Sequence, residues 1–485
     1  VLARRLLTLA LCLLPPSPAL LAADGEVDAT FANGGSRTFS FQFPDLPGVT
    51  EFVGHRVAYI PGSGPLVQGS YWVLARYAPT EATGVRAALA TLRLREDGTV
   101  ISSYGTYGNG TARAPLTMDR VDAVAHATWI EGGSRVDKAF ALGPELLSTG
   151  ERRLRLCRVN ASGALDSGVF GTAGSGCLSY SFQDAGANSA GAALDLVADG
   201  ELLYLIAERL SAGDATTIGV ARVSAITGAL DASYGFGGFA SIGFDPGTTR
   251  NNHDAAGEID REGRLVIAAS FDVDTGSEQP VYAGVARLTP AGQLDATFCV
   301  PGPECPLGAP GLRRFGASQL AIPNLPNPRL GSMAIAGSRI HFTLQNDNAV
   351  SRTHIVALRE DGTLAREFGS NGVAQRPSAF PALAVSSFPI LTGSARGSLL
   401  IAGVEFGIGL TQTTASFARL SAFGACAPDF VTPCPRVLPG GVPAIDHILI
   451  DSADRPVFLT QPDSSGTLQL VRLQPQRELL VDGFE

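Results

Sequence analysis

The tetrapeptides Gly163-Ala164-Leu165-Asp166, Gly228-Ala229-Leu230-Asp231 and Gly292-Gln293-Leu294-Asp295 are copies of one pattern, each followed within a few residues by an aromatic, Phe170, Tyr234 or Phe298. Working outward, the same element recurs as Gly25-Glu26-Val27-Asp28 with Phe31 and as Asp97-Gly98-Thr99-Val100. It returns as Gly362-Thr363-Leu364 with Phe368-Gly369, and in degenerate form around Gly424 with Asp429-Phe430. Successive leading glycines are 73, 65, 65, 64, 70 and 62 residues apart. A fixed period of this length marks a repeat architecture, in which each unit buries its apolar face against the next. An arginine-containing apolar strand precedes each copy.

One period resolves into short strands. Between Gly238 and Phe298, Phe239–Phe244 alternates, a second run ends at Ile259, Leu265–Ala269 is continuously apolar, and Tyr282–Leu288 is a fourth strand. Arg261-Glu262-Gly263-Arg264 supplies a turn between two of them. The third strand recurs at Leu202–Ile206, Ile340–Leu344, Leu399–Gly403 and Val457–Leu459. The fourth strand recurs at Ala90–Leu94, Leu154–Val159, Ile218–Val223, His354–Leu358, Ser416–Leu420 and Leu470–Leu473. With the copy at Arg287 this makes seven. Four short strands per unit without helical periodicity fit one blade of a propeller. The expectation is an all-β fold, a seven-bladed β-propeller of four-stranded antiparallel blades spanning 24–474. The chain opens on an Asp28–Phe31 element and a Thr38–Phe43 strand and ends just after an arginine-bearing strand. This offset predicts that the N-terminal strand completes the C-terminal blade and closes the ring, removing free sheet edges.

These residues resemble the delta-60 repeat, a bacterial unit of the form Gly-x-Leu-Asp-x-x-Phe-Gly-x-x-Gly, over nearly all of the chain after its first 23 residues. The 171–176 segment and the Cys299 and Cys426 copies depart from the pattern by insertion, and Ala365 replaces the usual Asp. The resemblance implies a propeller-like array in exported or surface proteins and carries no catalytic residues with it.

Composition agrees with a large, folded chain. Hydrophobic residues make up 45% and charged residues 17% of 485, which excludes a disordered polyelectrolyte. Formal charge is −9, and the arginines form no cluster, so a nucleic-acid footprint is not expected. Arg4-Arg5, the apolar run Leu6–Leu14 and small residues ending at Ala22-Ala23 read as a signal peptide over 1–23. The apolar run is too short to cross a bilayer, and no later segment is long and apolar enough to do so. Export to the periplasm, cell surface or medium is therefore expected, with residues 475–485 as a C-terminal tail. Outside Cys12, six cysteines fall as sequence neighbours: Cys157 with Cys177, Cys299 with Cys305, and Cys426 with Cys434. Each pair lies within one repeat, which favours local disulfides in an oxidising compartment.

Motifs for chemistry are sparse. Asp28, Asp166, Asp231 and Asp295 follow tight turns, where a carboxylate caps nearby backbone N–H groups. Phe31, Phe170, Phe298 and Phe368 are expected to pack between blades. Asp272, Asp274 and Glu278 place oxygens as a calcium loop does but lack the rest of its ligand pattern, so a solvated hairpin is the simpler reading. Lys138, the one lysine, follows no glycine-rich loop, and the six histidines form no metal motif. His253, Asp254 and Glu258 sit on early strands of one blade, where a propeller channel would gather residues from several repeats. No cofactor is called for. Asn109-Gly110-Thr111 and Asn160-Ala161-Ser162 match the glycosylation sequon, a short match that loops produce by chance. The expected role is a monomeric binding or scaffold module for a protein or glycan. A sugar- or lactone-directed hydrolase or lyase is the alternative class, and a ligand-free structural envelope protein is a third. Convergent carboxylates with a histidine in the channel favour the enzyme; a plain polar lining favours binding.

Overall fold

A computed structural model of the chain describes residues 26–475, except positions 33, 42, 106, 172–173, 304, 306–308 and 321 and the longer segments 44–51, 63–68, 78–86, 183–189, 211–215, 245–248, 274–280, 316–319, 323–327, 347–352, 378–389, 394–398, 406–413, 428–433, 439–443 and 462–466. The apolar runs form strands, and twenty-eight strands make seven four-stranded antiparallel sheets. Among the described residues there is no helix. Blade 1 is Phe52–Ile60, Ser70–Tyr77, Ala87–Arg95 and Thr111–Leu116, and blade 2 is Ala123–Glu131, Ser134–Leu146, Arg152–Val159 and Cys177–Tyr180. Blade 3 comprises Ala190–Asp199, Leu202–Leu210, Thr216–Ser224 and Phe239–Ile242. Blade 4 comprises Thr249–Ile259, Leu265–Val273, Val281–Leu288 and Leu312–Phe315. Blade 5 is Pro328–Ala336, Arg339–Asn346, His354–Leu358 and Val373–Gln375, and blade 6 is Ile390–Gly393, Leu399–Glu405, Thr414–Leu420 and Arg436–Val437. In blade 7, Ala444–Ile450, Pro456–Gln461 and Thr467–Arg472 are completed by the N-terminal strand Ser36–Ser40.

The ring is thus closed as the chain offset predicted, with Ser36 opposite Val471 and Ser40 opposite Thr467. The closing strand begins two residues earlier than the sequence suggested. One correction concerns the unit: the Phe239 strand is the outer strand of blade 3, not the first strand of blade 4. The arginine-bearing strands are accordingly third in their blades, so repeat and blade are offset by one strand. First strands touch one another in cyclic order, blade 1 to blade 7 and back, and line a central channel. Apolar side chains between the sheets form the core; the second strand of blade 4, Leu265–Val273, is buried along its whole length.

The repeat motif is an inter-blade clasp. In four blades, a buried arginine on the third strand donates to the Asp of Gly-x-Leu-Asp. The Nε–Oδ2 distances are 2.9 Å for Arg158–Asp166, 2.9 Å for Arg222–Asp231, 2.8 Å for Arg287–Asp295 and 2.8 Å for Arg472–Asp28. Each guanidinium also lies over the aromatic of the motif, with Arg158 4.6 Å from the Phe170 centroid and Arg472 4.7 Å from that of Phe31. Each then donates to a backbone carbonyl in the following blade: Ile226, Pro290, Glu360 or Glu96. The Asp performs the expected turn duty as well, since Thr297 N–H donates to Asp295 at 3.0 Å and Thr30 N–H to Asp28 at 3.0 Å. Burial opposes ionisation of Asp28 and Asp295, but the Thr hydroxyls and the arginines outweigh it and hold both below the usual carboxylate range. Motif glycines complete the clasp: at Gly292, with φ of 77°, a side chain would lie 2.6 Å from the backbone nitrogen of Gly235 in the preceding blade.

In the last clasp the two halves of the motif come from opposite ends of the chain. Arg472 meets Asp28 and Phe31, Val27 bridges Leu473, and Asp28 N–H donates to the Arg472 carbonyl. Blade 5 differs instructively: Ala357 and Ala365 stand where those four blades hold Arg and Asp, with the backbone bond between them kept at 2.9 Å. There Arg339, from the second strand, reaches the Ala422 carbonyl and pairs with Glu367. In blade 6 the position is Ala427, which bonds the Arg419 carbonyl, while Asp429 and Phe430, named from sequence, lie outside the described residues.

Cys157–Cys177, Cys299–Cys305 and Cys426–Cys434 are disulfide-bonded, as sequence proximity suggested. Cys157 and Cys177 are direct partners on neighbouring strands of blade 2. Their separation of 20 residues predicts a loss of about 3 kcal/mol when both become alanine, through the freer unfolded chain. Urea unfolding of the Cys157→Ala/Cys177→Ala protein checks this; an unchanged midpoint at equal slope would refute it.

Candidate functional site

Propeller channels are built from the first strands, and five of the seven here carry register shifts. They fall between Gly54 and Arg56, at Ala190–Asp195, at Thr249–Asp254, between Leu330 and Met333, and between Ile445 and His447. A bulge adds a residue to one strand and re-aims the side chains around it. Described polar residues on the first strands include His55, Arg56, Asp195, Glu258, Ser332 and His447.

Most of these polar groups bind the neighbouring blade. His55 Nε2 donates to the Asp122 carbonyl at 3.0 Å and Arg56 to that of Val124 at 3.1 Å, linking blade 1 to blade 2. Asp195 accepts from Gly257 N–H at 2.8 Å, joining blades 3 and 4, and Glu258 accepts from Ile335 N–H at 2.7 Å, joining blades 4 and 5. Ser332 accepts from Leu391 N–H at 3.1 Å, and Val57 N–H makes a long contact of 3.5 Å with His447 Nδ1. Burial pushes Asp195 up and Glu258 up to about 7, while the charge of Arg56 opposes both shifts. Burial pushes His55 and His447 down. Asp446 departs from this scheme: its Oδ2 is buried with no hydrogen-bond partner against Gly54, and burial raises its carboxyl to about 7.

An open cavity of about 400 Å³ occupies one mouth of the channel. Arg76, Arg120, Asp122 and Asp254 supply its charged lining, with Leu194 and Gly331 among the rest. Asp122 precedes the first strand of blade 2, Ala192 and Leu330 fall early in theirs, and Arg76 lies near the end of an antiparallel second strand, so this is the end where inner strands begin. Arg120 Nε donates to Asp122 at 2.6 Å, and burial still raises the Asp122 carboxyl. Arg76 Nη1 donates to the Val121 carbonyl at 3.3 Å and is otherwise turned to solvent. Asp254 accepts from Ser270 Oγ at 3.4 Å. The mouth therefore offers two guanidinium groups and two carboxylates to a small polar molecule.

The sequence-named candidates divide accordingly. Asp254 lines the cavity, while Glu258 sits deeper as a link between blades. The backbone of His253 lies in the bulged stretch of Thr249–Ile259, and its side chain is outside the described residues. Asp272 is buried near the end of Leu265–Val273, and Asp274 and Glu278 lie outside the described residues. No group of three or more metal-ligating side chains occurs among the described residues. Asn109 and Asn160, the sequon residues, cap their own turns by accepting from Thr111 N–H at 3.1 Å and Ser162 N–H at 3.0 Å. Arg76, Arg120, Asp122 and Asp446 were missed from sequence, because none belongs to the periodic motif and the blades that carry them converge only through ring closure.

A family model described as "Domain of unknown function (DUF5122) beta-propeller" matches residues 263–298, which run from the turn before Leu265 to Phe298 of one Gly-x-Leu-Asp unit. No curated protein matches the chain. Among solved structures, the chain is similar to polysaccharide lyase Uly1 at 10% identity, covering 94% of this chain and 100% of that one, with a TM-score of 0.44. It is similar to a subtype N11 neuraminidase-like protein of A/flat-faced bat/Peru/033/2010 at 10% identity, covering 84% and 99% of the two chains, with a TM-score of 0.37. A glucose dehydrogenase is 15% identical over 73% of this chain and 99% of its own, with a TM-score of 0.34.

Proposed function

We propose that this chain is an exported propeller of delta-60 type that binds a small polyhydroxylated ligand, of saccharide character, at the mouth of its channel. The observation that carries the reading is the open cavity of about 400 Å³ lined by Arg76, Arg120, Asp122 and Asp254. Guanidinium groups donate and carboxylates accept in fixed directions, which is what recognition of several hydroxyls needs. The volume lies within the range of small-ligand sites, roughly 300–1,000 Å³. Deeper in the channel, Asp195, Glu258 and His55 are engaged with neighbouring backbone, which supports a rigid wall rather than a reacting set. Export rests on the signal-like residues 1–23 and is supported by three disulfides.

Thermal unfolding against a panel of neutral and acidic saccharides tests the proposal. A ligand at about 100 times its dissociation constant adds roughly 2.7 kcal/mol. Arg76→Gln combined with Asp254→Asn should remove the shift while leaving the ligand-free midpoint nearly unchanged. A shift that survives this pair, or none with any saccharide, overturns the assignment of ligand and site. A second reading, a hydrolase or lyase, draws on Asp446, whose carboxyl is pushed up to about 7, as a general acid requires. Release of reducing ends from a saccharide at neutral pH, lost in Asp446→Asn, would establish it.

A further inference from the structure

Asp446 is a channel carboxylate whose buried Oδ2 has no hydrogen-bond partner among the described residues. Its Oδ2 is sealed against Gly54, where even a Cβ would come within 2.3 Å of it, and it has no donor to stabilise a charge. The elements packed on its strand are Phe52–Ile60, Ile390–Gly393, Leu399–Glu405, Thr414–Leu420 and Pro456–Gln461. Among described side chains, the titratable or charged groups on them are His55, Arg56, Tyr59 and Arg419. His447 follows on its own strand. His55 and His447 are depressed by burial, and Arg56 is spent on the Val124 carbonyl near Asp195 and Glu258. Arg76, near the end of the second strand of blade 1, stands opposite Val53, the neighbour of the Gly54 against which Asp446 packs, and its charge is the one that reaches Asp446. Arg76 lines the mouth cavity, and the nearby Asp122 is already paired with Arg120.

We propose that Asp446 and Arg76 form a proton-controlled pair that sets the charge of the mouth cavity. This rests on the reading of that cavity as the ligand site. With Asp446 protonated, the Arg76 guanidinium is free to anchor an acceptor oxygen of a ligand. Loss of the proton creates a buried anion whose nearest answer is Arg76, and the cavity loses its unpaired cation. The folded state holds this proton more tightly than the unfolded chain, so the Asp446 contribution to stability is full below about pH 4 and is lost as pH rises through about 7.

The test needs no ligand. Stability of the Asp446→Asn protein minus that of the wild type, followed from pH 4 to pH 9, isolates Asp446 from Glu258 and the other acids. The difference should grow from about pH 4 and level off near pH 7, where the folded carboxyl also ionises. In an Arg76→Gln background the same difference curve should move upward by about half a pH unit or more, because the anion has lost its cation. In a Glu258→Gln background it should stay in place. A difference curve flat with pH, or one that Arg76→Gln does not move, overturns the pair. Because the saccharide panel is a separate measurement, failure of the cavity as a binding site and failure of this pair are told apart.

Discussion

Removing residues 24–43 should leave a protein that no longer unfolds cooperatively as a monomer and that elutes as soluble aggregate. The deletion takes away the outer strand of blade 7, Ser36–Ser40, and exposes the unpaired edge of Thr467–Arg472. A bare, apolar edge is a template for pairing with another chain. It also strips Arg472, which is 2% exposed, of Asp28, Thr30 and Phe31. Leaving such a charge buried and unpaired costs about 3–5 kcal/mol. Losing the fully buried Phe31 adds about 1.5–3 kcal/mol. Together these approach the roughly 5–15 kcal/mol that holds a typical domain folded. Size-exclusion chromatography with thermal unfolding checks the result. A monomer with the full-length midpoint would show that closure contributes little.

The second large effect lies in the clasp of blade 4. Asp295→Ala alone should cost about 3–5 kcal/mol, since it leaves Arg287 buried without its counter-charge, and Arg287→Met should cost less, about 2–3 kcal/mol, since Arg264 stays 3.7 Å from Asp295. The double variant should cost less than the sum by about 2 kcal/mol or more, which is the coupling expected of groups in one network. Blade 5 motivates this expectation, for it lacks both members at once, with Ala357 and Ala365 in register. The carbonyl that a clasp arginine would have served in blade 6, that of Ala422, is reached by Arg339 instead. Urea unfolding of the two single variants and the double variant gives the coupling, and additive losses would contradict it. The acidic partners also give the clasps a sign in pH. Asp28 and Asp295 lie below their ordinary range, so their stabilisation is present above about pH 4 and is lost as pH falls toward their folded values. Asp446 acts in the opposite direction, and the two effects separate at the two ends of the pH range.

The Gly-x-Leu-Asp period and the strands recurring within it made blade number and strand count legible, and the chain offset pointed to ring closure, because the motif is a local turn with a period. Each copy announces itself: glycine for a positive φ, Asp to cap the turn, an aromatic to pack against the next blade's glycine. The cysteine pairs were legible for the same reason, each being closed within one repeat. What sequence left obscure were the bond between the strand arginine and the Asp, which lie eight or nine residues apart across a turn, and the offset between repeat and blade. The clasp of blade 7 is local only in space, since Arg472 and Asp28 stand at opposite ends of the chain.

The candidate site is a different case. The motif turns follow third strands, which run with the first strands, so they lie on the face opposite the mouth where Arg76, Asp122 and Asp254 gather. The periodic signal therefore marks the face that holds the ring together and is silent about the face with the cavity. Residues of the mouth come from five blades, one to three from each, and the bulges in the first strands of blades 3, 4 and 5 leave no mark in hydrophobic periodicity. Sequence determined the fold because each repeat carries its own instructions over a few residues. Only the tertiary structure decided where polar groups converge, because that depends on how seven units close around one axis.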